Sequence, residues 1–298
     1  MLCKRRFNSP VRVKNPTTPL ILLIINLLNM KKLLILFFWG ALASCNNTPS
    51  ATSGKTGGSS EGVPEGPKAI SYSIINTYPH DTSSFTEGIL FYKGELYEST
   101  GNYGHSRLLK VDLKTGKAIK SLDLDAKYFG EGIAIVNDTI YQLTYLEKVG
   151  FMYSLKDFKK LKEFTFSAAQ GWGMTDDGHS IIATDGTSNL YYYEPGTFKL
   201  QRTQSVTEAG SLAFNLNELE YIDGFLYANQ WQAPYILKID PASGQIVAKA
   251  DLTEVWKRVQ LKDPKADVPN GIAYDATTKK MYVTGKLWPE MYELQLSQ

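Results

Sequence analysis

Cysteine is almost missing from the 298 residues: Cys3 and Cys45 are the two present, and both fall within the first 45 positions. The remainder of the chain can form no internal disulfide and no cysteine-based metal site, so any fold there must be held by its own core. Histidine is scarce too. His80, His105 and His179 have no metal-ligand spacing; all three read as surface or loop residues, and no zinc site is expected. A basic surplus is also lacking. Seven of the 32 Lys and Arg residues lie in positions 1–45, which hold no Asp or Glu; the rest has 25 basic against 30 acidic residues, a formal charge of −5. The sequence pI of 8.3 therefore belongs to the leader. No basic patch of the kind that nucleic acid requires is present, and nucleic-acid binding is excluded. Helical periodicity is weak everywhere except Leu252–Leu261, which predicts one short helix.

What the first 45 residues do contain is an export signal. Lys31 and Lys32 precede the apolar run Leu33–Leu42, and Leu42-Ala43-Ser44-Cys45 follows. A charged start, an apolar centre and small residues before the processing point are the anatomy of a secretory signal. Its ending resembles a bacterial lipobox, which implies lipidation at Cys45 and a membrane-anchored, periplasmic or cell-surface lipoprotein; a plain signal peptide or an uncleaved anchor is the alternative. A second apolar run, Leu20–Leu28, is cut off by Asn29 and the two lysines, whereas a membrane helix needs about 20 apolar residues without a break. Met30 is read as the true start and 1–29 as an upstream extension. Residues 46–68, rich in Ser, Thr, Gly and Pro, read as a flexible tether.

From residue 69 to 298 the pattern is short strands between turn signals. Glu87, Glu131, Trp172, Glu218 and Asn270 each stand at the start of an apolar strand, and the steps between them are 44, 41, 46 and 52 residues. A period near 45 is that of a four-stranded propeller blade. Four segments supply four strands each, with Lys93-Gly94, Asn137-Asp138 and Asp223-Gly224 as hairpin turns. The fifth supplies three, and Ala69–Tyr78 is a spare strand at the other end. The fold class predicted is all-β: a five-bladed β-propeller closed by the N-terminal strand pairing with the C-terminal blade. An open sandwich or two smaller β domains is the competing arrangement.

The strand starts carry residues a buried blade would not choose: Phe85, Glu87, Phe129, Glu131, Trp172, Asn217, Glu218, Glu220 and Asn270. The ends of the second strands add Tyr145, Asp185, Asn229, Trp231, Gln232, Lys286 and Trp288. On a common axis, three tryptophans, a lysine and several carboxylates are expected to share one concave site.

Read in order, F-G-E-G-I-A (129–134), G-W-G (171–173), D-G-T-S (185–188), L-N-E-L-E-Y-I-D-G (216–224), A-N-Q-W-Q (228–232), N-G-I-A (270–273) and T-G-K-L-W-P (284–289) resemble the motifs of the plant-type glutaminyl-peptide cyclotransferases. The resemblance runs from about Phe85 to Leu294. It implies a five-bladed propeller that cyclises the N-terminal glutamine of a peptide or protein to pyroglutamate with loss of ammonia, needing no cofactor for chemistry. It further implies Glu131 as general acid and base, with Lys286 polarising the amide or setting the charge of Glu131. Phe85, Glu87, Phe129, Tyr145, Trp172, Asn217 and Trp231 are implied to bind substrate. Two positions depart from the plant pattern, which has glutamine at Glu87 and tryptophan at Tyr145, so the division of labour between Glu87 and Glu131 is open. The family's association with calcium makes a structural ion possible through oxygens near Asn217–Glu220, with ligands that sequence does not assign. A monomer is expected, since a closed propeller needs no partner chain.

Two other functions use the same blades. A non-catalytic lipoprotein that binds peptides or glycans needs no carboxylate at Glu131. A lactonase-like hydrolase needs a metal on the axis, with Glu87, Glu218 and Asn270 as the available ligands.

Overall fold

The computed structural model describes residues 66–297. The expectations for the leader, for Cys45 and for most of the tether lie outside the described residues. Within them, no helix is long and apolar enough to cross a membrane.

Five antiparallel blades follow one another in sequence. Blade 1 is Thr86–Tyr92, Glu95–Thr100, Arg107–Asp112 and Lys117–Asp123. Blade 2 is Gly130–Val136, Thr139–Thr144, Val149–Ser154 and Lys160–Thr165. Blade 3 is Met174–Asp176, Ile181–Ala183, Asn189–Tyr193 and Leu200–Ser205. Blade 4 is Leu216–Ile222, Phe225–Gln230, Tyr235–Ile239 and Ile246–Asp251, and blade 5 is Pro269–Asp275, Lys280–Gly285 and Glu290–Leu296. The first two strands of a blade join through tight turns that hold Lys93, Asn137, Asp138 and Asp223 at positive φ, the conformation such hairpins require.

The fourth strand of blade 5 is Tyr72–Pro79, antiparallel to Glu290–Leu296 with Tyr72 opposite Leu296 and Pro79 opposite Glu290. The single strand expected over Ala69–Tyr78 is in fact two. Lys68–Ile70 lies parallel to the outer strand of blade 4, with Lys68 opposite Ala248, and the chain breaks at Ser71 before entering blade 5. Between blades 4 and 5 comes the helix Thr253–Lys262. Val255 and Val259, four apart, are its buried residues, packed in the layer between those blades. This insertion accounts for the longest step of the repeat.

Each layer between neighbouring blades is a separate apolar cluster. Phe164 stacks on Phe198 at 3.9 Å between blades 2 and 3, and Trp288 packs with Tyr292 between blades 4 and 5. A side chain of this size contributes about 1.5–3 kcal/mol on full burial, so the stack of blades is held without covalent links.

His80 departs from its surface assignment. It is buried where blades 1 and 5 meet, with Nδ1 2.8 Å from the Trp288 carbonyl oxygen and Nε2 3.1 Å from Glu98 Oε1. Both partners accept, so both ring nitrogens donate, and the ring is held as imidazolium. Burial opposes that charge, yet the neighbouring Glu98 carboxylate and the hydrogen bonds prevail and raise the pKa.

Candidate active site

Four of the five inner strands misregister at their starts. Pairing skips between Thr86 and Gly88, Gly130 and Ile133, Leu216 and Leu219, and Pro269 and Ile272. Glu87, Glu131, Asn217, Glu218 and Asn270 fall inside those irregularities. A bulge releases a residue from the ladder and re-aims its side chain; blade 3, whose inner strand pairs in register from Met174, presents Trp172 from just ahead of that strand. Gly132 permits the approach. A Cβ on it would meet the Trp172 carbonyl oxygen and the Met174 nitrogen at 2.5 Å, and its own N–H donates to Trp172 O at 2.8 Å.

Around one end of the axis lies a cavity of about 560 Å³. Phe85, Glu87, Phe129, Glu131, Tyr145, Trp172, Asn217, Trp231 and Lys286 all line it, so the nine residues expected to bind substrate or carry the chemistry lie together. A cleft of about 680 Å³, walled by residues such as Ser83, Tyr103 and Arg107, lies beyond. It holds none of the buried carboxyls, and the chemistry belongs to the first cavity.

Two carboxyls and one ammonium form the polar floor. Glu87, Glu131 and Lys286 are 1%, 5% and 6% exposed. Lys286 Nζ donates to Glu87 Oε1 at 2.6 Å and sits 4.5 Å from the Phe85 ring centroid, close enough for a cation–π contact. The Glu131 backbone is held by Ser99, whose hydroxyl donates to the Glu131 carbonyl at 2.5 Å and in turn accepts from Gln142 Nε2. Burial, then the charge of Glu87, drive the Glu131 pKa well above the carboxylate range, with Lys286 opposing. Burial also raises Glu87, although its contact with Lys286 pulls the other way. One cation faces two buried carboxyls, and the proton affinity is raised most at Glu131.

Aromatic rings build the walls. Phe129 meets Phe85 edge-on at 6.1 Å and Tyr145 at 5.7 Å; Trp172 meets Trp231 edge-on at 5.6 Å. The Trp172 indole N–H donates to Gln170 Oε1 at 2.8 Å. Gly186, at φ +77°, leaves room for that indole, whose atoms a Cβ would meet at 2.6 Å. The buried Asn217 Oδ1 has no hydrogen-bond partner, an unused acceptor on a residue that lines the cavity.

Some assignments are corrected. Trp288 does not line the cavity: it is fully buried in the layer between blades and donates its indole N–H to Asp267 O, so two tryptophans rather than three share the site. Asn229 is spent on the backbone, its Oδ1 accepting from Gly271 N. Glu218 and Glu220 tie the blades together: Glu218 accepts from Ile89 N and Ile272 N, and Glu220 from Tyr274 N. The Glu218 and Glu220 carboxyls thus face backbone N–H donors, while Asn217 Oδ1 is left unpaired. The lactonase arrangement meets N–H donors too, since an ammonium and the Asn270 amide occupy the Glu87 oxygens. Among the described residues no three His, Cys, Asp or Glu gather as metal ligands.

Asn270 is the residue that reading by type undervalued. Its Nδ2 donates to Glu87 Oε2 at 3.1 Å and to Thr86 O at 2.9 Å, fixing the second carboxyl. Its place at a strand start was the available signal. Gln170, Asn215 and Asp267 also line the cavity; nothing in their local sequence marks them.

A propeller whose axial bulges carry two buried carboxyls inside an aromatic cavity has the groups of an acid–base enzyme. The chain belongs to the glutamine cyclotransferase family, whose model matches residues 41–296. A curated relative from Arabidopsis thaliana, described as a glutaminyl-peptide cyclotransferase, is 38% identical over 227 residues, 76% of this chain and 71% of the relative. The crystal structure of the Myxococcus xanthus glutaminyl cyclase superposes with a TM-score of 0.73 at 32% identity, covering 78% of this chain and 98% of that one.

Proposed function

We propose that this chain is a glutaminyl-peptide cyclotransferase, with Glu131 as the proton carrier and an N-terminal glutamine as the substrate group. The observation that carries the mechanism is the polar floor: two buried carboxyls, one ammonium, and aromatic walls around them. The substrate's α-amine attacks its own side-chain carboxamide carbon. A C–N bond forms, the bond to the amide nitrogen breaks, and ammonia leaves. Glu131 takes one proton from the α-ammonium and delivers it to the departing nitrogen, then takes the proton shed by the newly bonded ring nitrogen and releases it to solvent, so one group serves every transfer and the proton count balances. No covalent nucleophile is required, because the reacting groups are already linked.

The charge arrangement suits this sequence. Glu87 and Lys286 neutralise one another at 2.6 Å, which leaves Glu131 to meet the substrate ammonium. The free α-ammonium has a pKa of about 7.7–8.0. A carboxyl whose pKa burial has raised takes that proton at less free-energy cost than an ordinary carboxylate, producing the neutral amine that attacks. Lys286 has further N–H groups for the oxygen on which charge develops, and Asn217 Oδ1 is an acceptor for the carboxamide N–H. The five rings enclose the glutamine stem and exclude water.

The export signal supports a wider setting: a bacterial lipoprotein anchored through Cys45, working as a monomer in the periplasm or at the cell surface on peptides or proteins with N-terminal glutamine. The test is ammonia release from a Gln-initiated peptide by the full chain, beside Glu131→Gln. Wild-type turnover with a fall of about 10²–10⁴ in the variant supports the assignment. Because each proton transfer is made by a side chain, chelation is expected to leave turnover in place; loss of all activity on chelation points to the lactonase arrangement.

A further inference from the structure

We propose that the mouth of the cavity is a subsite for apolar side chains at the second and third positions of the substrate peptide. The proposal rests on the cyclotransferase reading and extends it from the glutamine to the residues that follow. Cyclisation requires the α-amine and the side-chain amide to lie together at Glu131, deep in the cavity. The glutamine carbonyl and the rest of the peptide must therefore leave through the mouth.

That mouth is unusually apolar. Tyr103, Leu146, Phe214 and Trp231 are 49%, 54%, 53% and 36% exposed. Single exposed apolar residues are ordinary, but a contiguous group marks a binding surface. These four arise from four different connections; Tyr103 and Trp231 meet or form the cavity wall, and Leu146 and Phe214 are chain neighbours of residues that line it. The Tyr103 ring lies 5.4 Å edge-on from Phe129. Leu146 follows Tyr145, Phe214 precedes Asn215, and Trp231 is itself part of the wall.

The rim is also fixed in place. The Tyr103 hydroxyl donates to Glu147 Oε1 at 2.9 Å, tying the blade 1 connection to that of blade 2. Gln230 Nε2 donates to Phe214 O at 3.1 Å. Trp231 N donates to Asn215 O, and Asn215 N to Gly186 O. Ordered apolar groups bind without a large entropic cost of ordering. The blade 5 side, with exposed Asp267, is the polar gap in the rim.

The experiment compares kcat/KM for glutamine amide, Gln-Gly-Gly, Gln-Phe-Gly, Gln-Gly-Phe and Gln-Asp-Gly on the full chain. Expected is a preference of about tenfold for each phenylalanine peptide over Gln-Gly-Gly, carried by KM, with Gln-Asp-Gly lowest; tenfold corresponds to about 1.4 kcal/mol. The double variant Leu146→Ser, Phe214→Ser is expected to shrink the ratio to about twofold, on the hydrophobic scale of the lost contacts. Failure to convert glutamine amide overturns the cyclotransferase reading itself. Turnover of glutamine amide with no preference among the peptides overturns the subsite alone. So does a preference for the aspartate peptide, which would route the chain past Tyr103 into the polar cleft of Ser83 and Arg107. Vesicle binding or self-association lost in the double variant, with the peptide preference intact, likewise assigns the rim to a lipid surface or a second copy and overturns the proposal.

Discussion

Replacing Glu87 by glutamine tests the electrostatics of the site more sharply than removing Glu131. The substitution keeps the shape and keeps an oxygen for Lys286 Nζ, which now donates to Glu87 Oε1 at 2.6 Å. It removes one negative charge beside Glu131 and leaves the Lys286 charge without its counter-ion. Both changes favour the ionised form of Glu131, so its raised pKa must fall. A unit charge at about 4 Å in a medium of effective dielectric about 20 is worth about 4 kcal/mol. Relaxation and the partial compensation already present reduce this, and a drop of about one to two pK units is expected. The readout is the pH dependence of kcat/KM for a Gln-initiated peptide, which reports the free enzyme and free substrate. The acid limb, set by Glu131, should move to lower pH by that amount. The alkaline limb, set by the substrate amine, should stay. The plateau should fall by about tenfold, because a weaker base is further from the amine in proton affinity. A melting curve checks that the variant is folded. An acid limb that stays put or rises would refute the charge effect of Glu87 on Glu131 and leave Glu87 a packing residue.

Three further outcomes follow from the geometry. Gly132→Ala should destabilise by about 2–4 kcal/mol, read as a lower denaturant midpoint, because the added Cβ meets backbone atoms of blade 3 at 2.5 Å; an unchanged midpoint contradicts the close approach at the axis. His80 has a raised folded-state pKa, so its contribution is fully present below the unfolded value of about 6.5 and is lost as pH rises through the folded pKa. Melting temperature across that window should fall more steeply in wild type than in His80→Gln, and equal slopes would mean that the ring is not held as imidazolium. Asn217→Ala removes an unpartnered buried acceptor and should raise KM for glutamine peptides while leaving the melting temperature level or higher; a loss of stability would show that Asn217 holds the fold rather than the substrate.

The legible parts of this protein were those written in local pattern. The recurrence from Glu87 to Asn270 announces blades because each blade repeats the same strand-and-turn chemistry near one length. The helix Thr253–Lys262 was visible as the one stretch with helical spacing. Residue type also marked the site. A carboxylate between glycines, as at Glu131, and a tryptophan between glycines, as at Trp172, are costly choices for a buried strand. The errors concern residues whose surroundings come from other blades. His80 reads as a loop residue until Glu98 and the Trp288 carbonyl close on it from two blades. Trp288 reads as a mouth residue, yet the turn after Gly285 folds its ring inward against Tyr292. The break at Ser71 has no local signal, since an outer strand can pair with whichever neighbour lies alongside.

Sequence alone determined the all-β class, the blade period and the residues that gather at the axis, because hydrophobic alternation, hairpin turns and glycine placement act over a few residues. The tertiary structure decided what those residues are to one another. That Lys286 neutralises Glu87 rather than Glu131, that Asn270 holds the second carboxyl, and that Glu218 braces blades 1 and 5 are contacts between positions separated by 54 to 199 residues. Charge and hydrogen bonding act through space over a few ångströms, and only the closed ring brings those groups within that range.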